Sequence, residues 1–214
     1  MSDSSSRTKG ICYIAYGEAA LREVRTAIRS LYKVGIDLPI ALICNEPIMI
    51  EKIQQVKFED RSFGARRVKV LLDDLSPFEQ TLYLDVDTRV QSKDILKGFN
   101  VLDQGWDLVI AHSVNQGSEV FAHIDQAERK ATSEYLHNKM PIQLQAGVMW
   151  FRKSPEVLEF FDAWRMEWNK FKHHDQAALI RALQDSPIRV WLLGLDWNSR
   201  RGSIVDHHFG QAVG

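Results

Sequence analysis

The chain has 214 residues, and 45% of them are hydrophobic, which is enough to bury a substantial core in one domain. Its 27 basic and 28 acidic residues give a formal net charge of −1, which excludes the strong positive field of non-specific nucleic-acid binding. No apolar run approaches the ~20 residues of a membrane-spanning helix. We therefore expect one domain that binds any phosphate locally and has no nucleic-acid partner and no transmembrane segment.

The N-terminal segment 1–9 is polar and lacks the apolar region of a signal peptide. We predict a disordered tail over residues 1–9, a folded domain over 10–214 and a cytoplasmic location.

The first part of the chain alternates between strand and helix patterns. Short apolar runs at 11–16, 39–44 and 81–84 indicate strands. Apolar residues spaced three or four apart indicate helices over 21–31 and 65–75. This alternation favours an α/β fold with a mainly parallel central sheet flanked by helices. In such sheets ligands gather at the carboxyl ends of the strands.

The second part of the chain begins with a long polar segment. Residues 112–139 are weakly periodic, so we predict a loop region of the kind that forms lids or binding loops. Around and after it we predict strands at 106–111, 144–151 and 188–193, and helices at 155–171 and 175–183.

Two carboxylates follow the strand predicted at 81–84. Asp85 and Asp87 flank Val86, and alternate residues of an extended segment point to the same side. A divalent cation would remove the repulsion between them, and oxygen ligands with open positions suit Mg²⁺ or Mn²⁺. The alternative is a solvated turn at the end of a strand. In the metal-site interpretation Asp87→Ala removes a ligand of the cation and, as a surface change, should alter stability by less than about 0.5 kcal/mol.

A basic segment precedes this strand. Arg66 and Lys69 lie three apart and could reach a phosphate from one face of a helix. Taken alone, the segment reads better as a solvated face on which Lys69 pairs with Asp73.

Two polar motifs occur later in the chain. In Gln145-Ala146-Gly147, the glycine opens an apolar run and indicates either a bulge or a close approach of another group. Asp175 and Gln176 begin a predicted helix, where capping by Asp175 is the commoner explanation.

The order of these motifs is similar to that of the nucleotide-diphospho-sugar transferases of the GT-A fold. The chain particularly resembles the branch related to glycogenin and the bacterial lipopolysaccharide galactosyl- and glucosyltransferases. The resemblance covers about residues 11–210 and rests on the strand before Ala15-Tyr16-Gly17, the basic helix, PFEQTLYLDVDT at 77–88, QAGVMWFRKSP at 145–155, DQAAL at 175–179 and HHFG at 207–210.

The resemblance implies a single Rossmann-like GT-A domain that transfers a sugar from a nucleotide diphosphate donor, such as a UDP-sugar, with retention of configuration. The acceptor would be a glycan, a lipid-linked molecule or a protein. By the same resemblance Mn²⁺ or Mg²⁺ would be held by Asp85, by Asp87 more directly, and by a C-terminal histidine. The donor would be bound by Ala15, Tyr16, Gly17, Arg66, Lys69, Asp85, Val86 and Gly147, with Gln145, Asp175 and Gln176 near the anomeric carbon.

Two departures from the family pattern are visible. Gln145 stands where many members have asparagine, and HHFG is not followed by the usual Lys-Pro-Trp.

The histidine ligand can be chosen between two neighbours. His207 and His208 follow a segment at 203–205 that reads as extended, in which adjacent side chains point to opposite faces. Only one of them can then face the carboxylates. The family ligand usually lies three residues before a glycine, and counting back from Gly210 gives His207.

Three alternatives remain open. Asp85-Val86-Asp87-Thr88 imitates the nucleophile motif of haloacid-dehalogenase-like phosphohydrolases, but that motif normally follows the first strand. A non-catalytic sugar-nucleotide-binding module would conserve the same residues without turnover. An inverting transferase would need a carboxylate base near the acceptor, for which Asp125 and Glu128 are possible candidates.

Overall fold

The computed structural model of the protein describes residues 8–59, 64–116, 120–139 and 141–210. Its strands are β1 (Lys9–Ala15), β2 (Ile40–Cys44), β3 (Ile53–Lys57), β4 (Gln80–Leu84), β5 (Thr88–Val90), β6 (Leu108–His112), β7 (Leu144–Arg152), β8 (Val190–Leu193) and β9 (Val205–His207). Its helices are α1 (Gly17–Lys33), α2 (Gly64–Lys69), α3 (Leu72–Leu75), α4 (Lys97–Asp103), α5 (Gln126–Tyr135), α6 (Pro155–Phe171) and α7 (Asp175–Asp185).

Seven of these strands form one central sheet in the order β3-β2-β1-β4-β7-β6-β8. Strand β7 runs antiparallel to both of its neighbours, and every other neighbouring pair is parallel. The predicted α/β architecture with a mainly parallel sheet is therefore confirmed. The antiparallel direction of β7 brings its first residues to the edge where β1 and β4 end.

Helices cover both faces of the sheet, as a parallel sheet requires. Neighbouring residues of β1 belong to different cores: Tyr13 packs with α1 and α4, whereas Ile14 packs with α6 and α7. The aromatic stripe of α6 is buried in the second core, where Trp164 and Trp168 are almost fully inaccessible to solvent. No helix among the described residues is both long and apolar enough to cross a bilayer.

A second, two-stranded sheet joins the C-terminal segment to the end of β4. Strand β5 pairs antiparallel with β9, which places Thr88 opposite His207 and Val90 opposite Val205. Val205 is fully buried, so the segment is anchored by packing as well as by pairing. This small sheet carries a residue near the C-terminus to the site of the two carboxylates.

In the first half of the chain the structure differs from the predicted elements in three places. Lys9, which we assigned to the disordered tail, is the first residue of β1, and residues 1–7 lie outside the described residues. Strand β3 was not predicted because it is polar and half exposed at the edge of the sheet. The helix predicted over 65–75 is two helices. Between them, Arg165 donates to the carbonyl of Val70, and the backbone N–H groups of Asp74 and Leu75 both bond the carbonyl of Leu71.

The prediction of a loop over 112–139 is wrong for its second half, where α5 forms. Asp125 caps this helix by accepting hydrogen bonds from the backbone N–H groups of Ala127 and Glu128. The buried residues of α5 are Glu128 and Thr132, so the helix has no apolar stripe that a sequence pattern could reveal.

Candidate metal and nucleotide site

The predicted site residues gather in one pocket at the carboxyl ends of β1 and β4. The pocket has a volume of about 390 Å³. Ten residues predicted from the sequence line it: Tyr16, Arg66, Lys69, Asp85, Val86, Asp87, Gln145, Asp175, Gln176 and His207. Ala15, Gly17 and Gly147 adjoin this wall without lining it, so the structure brings the predicted set together.

Asp85, Asp87 and His207 form a group with the geometry of potential metal ligands. One ligand atom from each residue lies within 4.8 Å of the other two. Asp85 and Asp87 follow β4 directly, and the small sheet of β5 and β9 supplies His207. His208 turns away and contacts Asp206, at 3.0 Å from Nε2 to Oδ2. Of the two histidines, only His207 faces the carboxylates.

Hydrogen bonding fixes which nitrogen of His207 faces the carboxylates. Asn198 donates its Nδ2 hydrogen to the carbonyl of Gln145, so its Oδ1 faces His207 Nδ1, at 2.6 Å. An amide oxygen only accepts, so Nδ1 is the donor. The other nitrogen, Nε2, lies 3.0 Å from Asp87 Oδ1 and 3.9 Å from Asp85 Oδ2. A lone pair facing two carboxylates is repulsive unless a proton or a metal cation lies there.

These residues fit a divalent cation. Two carboxylates and an imidazole nitrogen are the oxygen and nitrogen ligands that Mn²⁺ and related ions accept. A metal-bound histidine usually donates its second ring N–H to a fixed acceptor, which is the arrangement that His207 makes with Asn198. A bound cation would offset the repulsion between the Nε2 lone pair of His207 and the two carboxylates.

Gly147 provides the space in which His207 approaches Asp85. A Cβ atom at this position would lie 2.4 Å from His207 Cε1 and 2.7 Å from Asp85 Oδ2. The carbonyl of Gly147 also accepts a hydrogen bond of 2.8 Å from the backbone N–H of Asp85. Both features considered at this glycine are present: the pairing of β7 with β6 shifts register across residues 146–148, and His207 and Asp85 approach Gly147 closely.

Asp87 is buried and holds the C-terminal segment in place. Its Oδ2 accepts from the backbone N–H of Gly210 at 3.0 Å, and its carbonyl accepts from that of His208 at 2.9 Å. Burial alone would raise the pKa of Asp87. The hydrogen bond and charge of His207, together with the Gly210 N–H, lower this pKa below its usual value. The carboxylate is therefore ionised, as a metal ligand must be.

Lys69 connects the metal-ligand group to the opposite wall of the pocket. Its Nζ lies 3.0 Å from Asp85 Oδ1 and 3.1 Å from Asp175 Oδ2. Burial would lower the pKa of Lys69, but the charges of Asp175 and Asp85 raise it above its usual value. The surface pair of Lys69 with Asp73 considered from the sequence is wrong, because Asp73 pairs with Arg165 instead.

Asp175 and Gln176 begin α7 inside the pocket wall. The N-cap of α7 is His174, so Asp175 is not the cap that the sequence favoured. Its side chain pairs with Lys69, whose charge lowers the pKa of Asp175 against the opposing effect of burial. Gln176 donates from Nε2 to Gln145 Oε1 at 2.5 Å. Asp175, Gln176 and Gln145, which were all predicted from the sequence, therefore lie in the same pocket wall.

The end of the pocket beyond Asp85 is formed by the start of α1 and by α2. Tyr16 donates its hydroxyl hydrogen to the carbonyl of Phe58 at 2.5 Å. Gly17 starts α1 with φ of +82°, a conformation that favours glycine. Arg66 donates to the carbonyl of His173 at 3.1 Å and lines the pocket. Arg66 and Lys69 therefore do face one pocket, as the predicted helical spacing suggested.

Other pocket residues were missed by the sequence analysis. They are Ile14, Ala20, Ala65, Tyr83, His123, His174, Phe209 and Gly210. Tyr83 donates to Asp85 Oδ1 at 2.5 Å, and its position two residues before Asp85 on one strand could have revealed it. Phe209 packs against His207 with ring centroids 3.8 Å apart. His123 and His174 meet across the pocket from separate elements, which no sequence spacing indicates.

His174 is half-buried and lies near Arg66 and two other histidines. Burial is the main cause that lowers its pKa to about 4, and Arg66, His123 and His173 add to the effect. The imidazole of His174 is therefore neutral at physiological pH and can donate or accept a hydrogen bond in the pocket.

The two carboxylates considered as bases for an inverting reaction do not line the pocket. Asp125 caps α5, and Glu128 is buried against Arg181, with Oε1 at 3.2 Å from Nη2. Together with His173 they form the second potential ligand group among the described residues. Both carboxylates already have partners, so this arrangement does not support the base role for either.

Comparison with known proteins gives the same fold for several solved structures. The apo crystal structure of mouse xyloside xylosyltransferase 1 is 12% identical, and the match covers 96% of this chain and 99% of that one with a TM-score of 0.63. The galactosyltransferase LgtC, crystallised with donor and acceptor sugar analogues, is 12% identical over 94% of this chain and 87% of its own, with a TM-score of 0.60. The glycosyltransferase GlyE of Streptococcus pneumoniae is 19% identical over 90% of this chain and 47% of its own, with a TM-score of 0.61.

This chain has the GT-A fold. No protein-family model matches the sequence, and no curated protein matches it either. In this GT-A fold the pocket lies where the central parallel strands end, which is where an open α/β sheet binds its ligands.

Proposed function

We propose that the protein is a glycosyltransferase that moves a sugar from a nucleotide diphosphate donor, in the first instance a UDP-sugar, to an acceptor hydroxyl. The observation that carries the proposal is the group formed by Asp85, Asp87 and His207, which lies in the main pocket of a GT-A fold and offers three ligands to a divalent cation. The three solved structures described above are named as a xylosyltransferase, a galactosyltransferase and a glycosyltransferase, and this supports the proposal.

The charges of the pocket suit this reaction. When a divalent cation is bound at Asp85, Asp87 and His207, it supplies Lewis-acid stabilisation of the departing diphosphate. Lys69 bridges Asp85 and Asp175 by pairing with both, so the proposed metal end and sugar end of the pocket keep fixed positions. Arg66 faces the same pocket and can pair with a phosphate.

The residues proposed to contact the sugar lie on the other side of Lys69. Asp175 is ionised and buried, and it can accept hydrogen bonds from sugar hydroxyls. Gln145 and Gln176 place two amide groups beside it. Tyr16 and the adjoining backbone of Ala15 and Gly17 are proposed to hold the nucleotide base and ribose.

A donor screen tests the proposal. The protein is incubated with UDP-glucose, UDP-galactose, UDP-xylose or GDP-mannose, with either Mn²⁺ or EDTA, and release of the nucleoside diphosphate is measured with and without simple sugar acceptors. We expect release from one UDP-sugar that requires Mn²⁺ and is lost in Asp87→Asn. The absence of Mn²⁺-dependent release from every donor would contradict the proposal, and binding of a donor without release would support the non-catalytic module instead.

Retention of the anomeric configuration is part of the proposal. It rests on the Asp175-Gln176 pair, which resembles that of retaining enzymes and lines the pocket, whereas Asp125 and Glu128, the bases considered for an inverting reaction, do not line it. NMR of the linkage formed with the active donor decides this point, and an inverted anomeric centre would refute it.

The phosphohydrolase alternative receives no support from the arrangement of the site. In that alternative Asp85 would be a nucleophile placed after the first strand, but here it follows β4 and binds both Lys69 and Tyr83.

A further inference from the structure

Three glutamine side chains form a chain of hydrogen bonds that leads from a buried position to the pocket. Gln143 is fully buried, and its Nε2 lies 3.4 Å from Gln176 Oε1. Gln176 Nε2 in turn lies 2.5 Å from Gln145 Oε1. Gln176 and Gln145 line the pocket, whereas Gln143 does not. The sequence analysis identified the second and third members of this chain and missed the first.

The direction of the chain is set by a backbone group at its buried end. Gln143 Oε1 accepts a hydrogen bond of 2.7 Å from the backbone N–H of Phe121. A backbone N–H can only donate, so the oxygen of the Gln143 amide must face Phe121 and its NH₂ group must face Gln176. Gln176 therefore presents its oxygen to Gln143 and its NH₂ group to Gln145. Gln145 accepts with its oxygen, and its own NH₂ group is the free end.

The side-chain amide of Gln143, at the buried end of the chain of hydrogen bonds, cannot easily flip. The backbone N–H of Gln143 donates to Gln116 Oε1 at 3.1 Å, and its carbonyl accepts from Ser113 N at 2.7 Å and from Gln116 Nε2 at 2.9 Å. These bonds hold the Gln143 backbone in place. A flipped Gln143 amide would set its NH₂ group against the Phe121 N–H, and two donors facing each other in a buried site is costly.

The free end lies at the wall of the pocket. Within the described part of the chain, the NH₂ group of Gln145 makes no hydrogen bond, and Gln145 is partly accessible from the pocket. Amides linked in one direction polarise one another, which strengthens the final donor.

We propose that Gln143 is a positioning residue that sets the orientation of the Gln176 and Gln145 amides, so that Gln145 offers an NH₂ donor to an oxygen of the donor sugar and Gln176 is held in one rotameric state. The contact with a sugar rests on the function proposed above. The direction of the chain does not, because it follows from the Phe121 N–H alone.

The first test needs no ligand. The variant Gln143→Glu is measured at about pH 8.5, where the new side chain is an ionised carboxylate. This carboxylate can still accept from the Phe121 N–H, but it cannot donate to Gln176. The amides of Gln176 and Gln145 should therefore both flip. The Gln145 NH₂ group would then donate to Gln176. In ¹⁵N-glutamine-labelled protein, with signals assigned from Gln145→Ala and Gln176→Ala, we expect exchange of the Gln145 NH₂ hydrogens with water to slow by roughly tenfold in the variant. Slow exchange of the Gln145 NH₂ hydrogens with water in the wild type would overturn the proposed direction of the hydrogen-bond chain.

A second variant keeps the test decisive if Gln143→Glu does not fold. Gln143→Met preserves the size of the side chain but leaves Gln176 free to take either orientation. We expect partial protection of the Gln145 hydrogens in this variant. Protection that equals the wild-type value would show that Gln143 does not set the direction.

The second test measures turnover with the donor identified by the screen. We expect kcat of Gln143→Glu to fall by about tenfold while its Kd for UDP with Mn²⁺ stays within about twofold of wild type. In a double variant with Gln176→Ala, Gln143→Glu should lower kcat no further, because the effects of two residues that act through one another are not additive. An additive loss would indicate a merely structural role. Gln54→Glu, an exposed change on β3, is the control and should behave as wild type.

The two tests separate the two claims. An inactive wild-type protein would contradict the proposed function, and the exchange measurement would still decide whether Gln143 orients the chain.

Discussion

His207 donates its Nδ1 hydrogen to Asn198 and turns Nε2 toward Asp87, whereas its neighbour His208 contacts Asp206. Opposite orientations of adjacent side chains in an extended segment were predicted from the sequence, and the three-residue spacing to Gly210 selected the residue that faces the carboxylates. The partner that fixes its tautomer, Asn198, lies nine positions earlier, and no spacing rule relates it to His207.

The two histidines form a matched pair for a test at this scale. We expect His207→Ala to lose most of the thermal stabilisation produced by Mn²⁺ and UDP. A ligand stabilises the folded state by RT ln(1 + [L]/Kd), which is about 2.7 kcal/mol at a hundredfold excess over Kd and falls toward zero when Kd rises above the ligand concentration. His208→Ala should retain most of it. The measurement is a thermal unfolding series with and without Mn²⁺ and UDP. The reverse result would place the ligand at His208, and two unaffected variants would remove the C-terminal segment from the site.

Asp87 shows where the sequence argument was wrong at the residue scale. We treated it as a surface acid whose removal is nearly neutral for stability, but it is only 7% exposed and binds the backbone of His208 and Gly210. The bond from the His208 N–H goes to the backbone carbonyl of Asp87 and would persist in an alanine variant. Asp87→Ala should therefore cost about 1–2 kcal/mol through the loss of its side-chain hydrogen bond from Gly210 and its side-chain contact with His207. Asp87→Asn keeps an acceptor for the Gly210 N–H and is the sharper probe of metal binding.

At the scale of elements, strands with buried apolar runs were predictable, and elements whose buried residues are polar were not. Strand β4 is buried throughout and was found, whereas the half-exposed β3 was missed. Helix α5 is joined to α6 and α7 by a buried ionic network instead of an apolar stripe. Arg181 Nε lies 2.8 Å from Glu167 Oε2, Nη2 lies 3.2 Å from Glu128 Oε1 and Nη1 lies 2.5 Å from Thr132 Oγ1. A network of this kind joins residues that are far apart in the sequence, so it produces no periodic pattern from which a helix could be predicted.

This network gives a prediction for stability. Arg181→Met leaves Glu128 and Glu167 buried without their shared cation, and breaking a buried ion pair from one side costs about 3–5 kcal/mol. Urea unfolding measures the change. The exposed Lys130–Glu134 pair on the same helix α5 serves as the control, since Lys130→Ala should cost less than about 1 kcal/mol. A loss below about 1 kcal/mol for Arg181→Met would show that α5 is not held by this network.

At the scale of the whole molecule, the order of motifs predicted the GT-A fold, although the described structural neighbours share only 12% to 19% of residues with this chain. The motif order could not give the direction of β7. Its antiparallel placement between β4 and β6 is what brings Gln145 and Gly147 to the carboxyl end of β4. The net charge is only −1, so the proposed binding of a phosphate would depend on local groups such as Arg66 and Lys69, and both line the pocket.

The central claim is that Asp85, Asp87 and His207 bind a divalent cation that in turn binds a nucleotide diphosphate. Isothermal titration of UDP into the wild-type protein, with Mn²⁺ or with EDTA, tests it most directly, with Asp87→Asn as the variant and Asp206→Asn, on the same small sheet, as the control. We predict that Mn²⁺ strengthens UDP binding by at least about 100-fold in the wild type and in Asp206→Asn, and that Asp87→Asn loses this gain. Equal UDP affinity with Mn²⁺ in Asp87→Asn and in the wild type would contradict the account.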